Sequence, residues 1–77
     1  MNTISLVLKD FQDVKEFLAI VENYPTMIYA RDVSGMEVNA KGVLSLMLLN
    51  RSKPIELYSK SNDDLSDLCE KLKHFMV

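Results

Sequence analysis

Residues 36–50, MEVNAKGVLSLMLLN, constrain the fold of this chain more than any other stretch. Met36, Val38 and Ala40 alternate with Glu37 and Asn39, which is the period of a half-buried strand. The run passes directly into residues 43–49, VLSLMLL, apolar enough for a helix and too apolar for a solvated loop. A helix of that length has no stability of its own in water, so it must lean on the rest of a domain. Its apolar residues cover so much of the circumference that some of them are expected to face outward. The Lys41-Gly42 junction leaves backbone N–H groups unpaired at the helix start, a place for a phosphate or a partner.

The remaining elements follow from periodicity and turn chemistry. Residues 2–8 alternate, with Ile4, Leu6 and Leu8 on one face, and read as a strand. Phe11, Val14, Phe17, Leu18 and Val21 then recur at helical spacing. Asp10 or Asp13 caps that helix, the second with Glu16 three residues on, as a capping box requires. Asn23-Tyr24-Pro25 ends it, because the residue before a proline is pushed out of the α region. Residues 26–31 are a second strand centred on Met27, Ile28 and Tyr29. Asp32-Val33-Ser34-Gly35 is a turn in which Gly35 supplies a positive φ.

After a polar loop at 50–54, residues 55–59 form the last strand, Ile55 and Leu57 opposite Glu56 and Tyr58. Ser61-Asn62-Asp63-Asp64 opens a final helix, on which Leu65, Leu68, Cys69, Leu72, Phe75 and Met76 keep the helical period. Lys71, Lys73 and His74 fall toward its negative end. The order is βαββαβα within one domain, residues 1–77. It implies an α+β fold, a four-stranded antiparallel sheet with three helices on one face.

Composition removes several classes of function. A net charge of −2 with mixed signs gives no basic footprint for nucleic acid, and six aromatic residues in all make a poor stacking platform. No run approaches the ~18 apolar residues of a membrane span. A single cysteine excludes an internal disulfide and suits a reducing compartment. The start, MNTISLVLKDFQD, has neither the basic region nor the apolar length of a signal peptide. A cytoplasmic protein is expected.

Side-chain chemistry is sparse. His74 is the only histidine and reads as a surface residue near a helix C-terminus, remote in chain order from the strand–helix junctions. Cys69 falls on the apolar stripe, as a core residue does. Asp63, Asp64 and Asp67 lack the spacing and glycine of a calcium loop and suit the positive end of a helix. With two glycines in the chain there is no phosphate-cradling loop. Neither an enzyme nor a cofactor is expected.

The motif VNAKGVLSLMLL after a hairpin, in a βαββαβα chain of this length, resembles the histidine-containing phosphocarrier protein (HPr) family of the bacterial sugar phosphotransferase system. The resemblance implies an open-faced β-sandwich with the first strand beside the last. In that family a histidine at the start of the first helix carries phosphate, with an arginine nearby. A serine at the start of the short helix is a regulatory phosphorylation site, and apolar residues behind it dock partners. On this chain the resemblance puts Lys41, Val43, Leu44 and Met47 at the docking positions. It puts Gly42 where the regulatory serine stands, Lys9 or Asp10 where the histidine stands, and Gln12 near the arginine. The resemblance thus implies a divergent member with degenerate phosphorylation positions. The implied function is a regulatory module binding phosphotransferase-system or other regulatory proteins, as a monomer or weak homodimer. The alternative is a phosphocarrier with a non-standard phosphoacceptor.

Overall fold

A computed structural model describes residues 2–61 and 63–76. The elements are β1 (Thr3–Leu6), α1 (Phe11–Val21), β2 (Tyr29–Arg31), β3 (Glu37–Asn39), α2 (Val43–Leu48), β4 (Ile55–Tyr58) and α3 (Ser66–Lys71), and a 3-10 turn (Lys73–Phe75) follows. The four strands form one antiparallel sheet in the order β1-β4-β2-β3, so the first strand lies beside the last, as expected. No helix among the described residues is long and apolar enough to cross a membrane.

Register explains why one sheet face is covered and the other open. Ile4, Leu57, Ala30 and Val38 are successive cross-strand partners, and Leu6 pairs with Ile55. All of these but the half-buried Val38 are removed from water. The intervening rows are Thr3–Tyr58–Tyr29–Asn39 and Ser5–Glu56–Arg31–Glu37, and they point the other way because side chains alternate along a strand. On that open face the Lys60 amine lies 4.4 Å from the centre of the Tyr29 ring and 3.0 Å from Glu37. The Arg31 guanidinium lies 4.6 Å from the centre of the Tyr58 ring. These cations answer to carboxylates and rings of the same sheet.

The covered face meets Val14, Phe17 and Val21 of α1, Leu46 of α2, and Leu65, Leu68, Leu72 and Phe75 of the C-terminal segment. Phe17 and Phe75 meet edge to face at 6.5 Å between ring centres. The outer edge of β1 is closed by the chain's own end: the Val7 amide donates to the Phe75 carbonyl, and Leu6 bridges Met76.

Several boundaries differ from the sequence reading. Strand β2 begins at Tyr29 and not at residue 26; Met27 is exposed, while Ile28 is buried and its carbonyl accepts from the Ala40 amide. Phe11, counted in the apolar stripe of α1, is half exposed with the Lys15 amine over its ring. The final helix does not open at residues 61–64. Ser59 and Ser61 hydroxyls donate to the Asp63 carboxylate, Asp64 accepts from the Ser66 amide and hydroxyl, and the helix starts only at Ser66. Asn62 lies outside the described residues. The helix also ends early, passing at Leu72 into the 3-10 turn.

Candidate functional site

Helix α2 is six residues long, and only Leu46 of it is buried; Leu49, just past its end, is buried as well. Val43, Leu44, Met47 and Leu48 are all exposed, Leu44 at 80% and Leu48 at 69%. Two of these are more open than a side chain needs merely to rim a core. The expected docking positions Val43, Leu44 and Met47 therefore share an outward surface, and Leu48, not singled out from the sequence, belongs with them. Its signal was available: Leu48 stands four residues after Leu44, hence above it on the same helix face. Ser45 is half-buried between the two sides.

Three polar contacts hold this helix by its flanks. On the entry side the Lys41 amide donates to the Asn39 side chain, and the Lys41 amine donates to the Tyr24 carbonyl just after α1. Lys41 thus fastens α2 to the end of α1. On the exit side the Asn50 amide donates to Asp32 Oδ2 at 2.8 Å. Asp32 belongs to the β2–β3 turn, where its other oxygen accepts from the Ser34 amide and hydroxyl and from the Met36 amide. It is the one buried charged residue among those described, 6% exposed. These donors, the Asn50 amide foremost, hold its carboxyl down at about 2. Sequence reasoning placed Asp32 in a turn and missed its second half, a contact 18 residues away.

At the helix start, Gly42 is the N-cap with φ −105°, a conformation open to any residue, and no side chain caps the helix. A Cβ there would lie 3.2 Å from Ser45 Oγ, the end of a side chain free to rotate. The turn glycine is different: Gly35 has φ +93°.

The junction of β1 and α1, where the resemblance implies phosphate chemistry, is arranged otherwise. Asp10 is the N-cap of α1, its carboxylate accepting from the Asp13 amide at 2.9 Å. Asp13 does not cap with Glu16; its carboxylate reaches back to the Lys9 amide at 2.9 Å, while Glu16 accepts from Gln12. One amide of the first helical turn, that of Asp13, and the Lys9 amide just before the helix are here met by the chain's own acids. His74 is remote in sequence but not in space. Exposed on the 3-10 turn and edge-on to Phe75, it lines a cleft of about 350 Å³ together with Lys9, Asp10 and Asp13. The structure thus brings the only histidine to the cleft at the start of α1. Cys69, half-buried, lies 3.3 Å from the Met76 sulfur and packs against the core from outside.

Compared with protein families, with curated proteins and with solved structures, the chain matches none.

Proposed function

We propose that the chain is a protein-binding module that docks partners through the outward side of α2 and carries out no phosphotransfer. The observation behind this reading is the exposure of Val43, Leu44, Met47 and Leu48 on a helix whose inward residue, Leu46, already satisfies the core. Contiguous apolar side chains left in water are the signature of an interaction surface, and methionine adapts to more than one partner shape. The resemblance to the phosphocarrier family supports the same location, and a regulatory role follows from a docking surface retained without the phosphorylatable histidine and serine.

The alternative, a phosphocarrier with a non-standard acceptor, has one observation in its favour: His74 lines the cleft at the start of α1. The lining of that cleft opposes it. Asp10 and Asp13 stand where a phosphoryl group needs donors, and the amides of Lys9 and Asp13 are engaged. Among the described residues, Lys9 is the one lysine or arginine that lines the cleft, against two aspartates.

Two measurements separate these readings. Incubation with the first enzyme of the phosphotransferase system and phosphoenolpyruvate is expected to leave the intact mass unchanged. Addition of one phosphoryl group to the wild type, absent in His74→Ala, establishes the alternative. Immobilised wild-type protein is expected to retain a partner from its native lysate that Leu44→Asp does not, with both proteins melting alike; equal retention by the two refutes docking through α2.

A further inference from the structure

We infer that the outward side of α2 also pairs with a second copy of itself, so that free protein is in reversible equilibrium with a symmetric dimer in which the docking surface is masked. This rests on the reading of α2 as an interaction surface and adds to it the identity of one occupant.

Three features of the helix point to a second copy. First, residues 42–50 contain no ionisable side chain, in a chain that carries 9 basic and 11 acidic residues. In a twofold interface each patch meets its own duplicate, so a charged patch repels itself and a neutral apolar one does not. Of the two cations that flank the stretch, Lys41 has its amine engaged by the Tyr24 carbonyl and Arg51 is half-buried. Second, the exposed residues form two parallel ridges at a spacing of four, Val43–Met47 and Leu44–Leu48. Ridges at i and i+4 on both helices interlock when the axes cross at roughly −50°, the commonest helix-pair geometry. The same helix can therefore supply both ridge and groove. Third, the area sets the strength. Four partly exposed side chains offer roughly 400 Å² per copy, about half of what a standard stable interface buries on each partner. Self-pairing is accordingly weak and gives way to any partner with a better fit.

Sedimentation equilibrium of the full chain from about 10 μM to about 1 mM tests this. The expected result is a reversible rise of the average mass from one chain toward two, with amide shifts in NMR spectra over the same range confined to α2 and its flanks. Leu44→Asp is expected to weaken the association at least about 100-fold, because dimerisation would bury two unpaired like charges. Leu48→Gln is expected to weaken it less, and Thr3→Asp, on the open sheet face, to leave it unchanged. Each variant is first shown to melt cooperatively near the wild type. A wild type that stays monomeric at the top of the range overturns the inference, as does a dimer indifferent to Leu44→Asp. If the wild type is monomeric while Leu44→Asp still loses a retained partner, self-pairing falls and docking stands. If Leu44→Asp abolishes the dimer but retains every partner, self-pairing stands and docking of other proteins through α2 falls.

Discussion

Helices α1 and α2 pack on the same sheet yet solve opposite problems. α1 runs eleven residues, buries Val14, Phe17 and Val21, and closes its own start with Asp10 and Asp13. α2 runs six residues and is apolar at every position but Ser45. It buries only Leu46 and has no side-chain cap. In α1 the apolar residues account for the fold and the polar ones for the ends. In α2 the fold uses one side chain of the helix and leaves four large ones in water. Hydrophobicity in a sequence therefore marks what must be covered, and only contacts tell whether the domain itself provides the cover.

The strongest way to break this contrast is to truncate one residue on each helix. Phe17→Ala is expected to cost ~3–5 kcal/mol, a core aromatic lost along with its contact to Phe75. Thermal melting should then show no cooperative transition, or one far below the wild type, because a domain this small has little stability in reserve. Leu44→Asp should stay within about 0.5 kcal/mol of the wild type. If the two variants lose similar stability, the distinction between the helices fails.

The flank of α2 held by Asp32 gives the next effect. Asp32→Asn keeps the shape but cannot present acceptors to both the Asn50 amide and the β2–β3 turn, so its melting temperature should drop by an amount on the order of 10 °C. A carboxyl held at about 2, against an ordinary 3.8, stabilises the folded state fully above the ordinary value. That contribution fades as pH falls from about 4 to about 2 and is gone below the folded value. Asp64 is also held down at about 2, its bonds from Ser66 foremost, so it adds to the same slope. Melting temperature against pH should therefore fall less steeply in Asp32→Asn than in the wild type, without becoming flat. Identical slopes would mean that Asp32 is not the acid-sensitive fastening of α2.

Two smaller changes address the helix starts. Asp10→Ala should cost about 1 kcal/mol, the usual worth of an N-cap. Gly42→Ser should raise stability by a few tenths of a kcal/mol by giving α2 the cap it lacks, provided Ser45 Oγ turns aside. Urea midpoints resolve both. A loss in Gly42→Ser would show that Ser45 cannot yield.

Most of the sheet was legible because the first, third and last strands alternate, and alternation alone assigns Ile4, Leu6, Ile55 and Leu57 to one face. That some apolar residues of α2 face outward was legible too, since six large apolar side chains cannot all point inward from so short a helix, but Leu48 was not singled out among them. The C-terminal segment was legible in its contacts and not in its form. Leu65, Leu68, Leu72 and Phe75 are buried as their spacing suggests, but steps of three and four suit an α-helix and a 3-10 turn alike. The true helix start was hidden because serine and aspartate bond as readily in turns as at caps. Contacts that close over long stretches left no local trace: Asp32 with Asn50, Lys41 with Tyr24, and His74 beside Lys9 and Asp10.

The fastenings at Tyr24 and Asp32, with Leu46 as the inward peg, hold α2 with little help from Leu44 and Leu48, its two most open residues. Positions 44 and 48 can thus be rewritten together while the fastenings beneath them stay the same. A library randomised at those two codons would vary the most open surface of the helix and leave its anchors untouched.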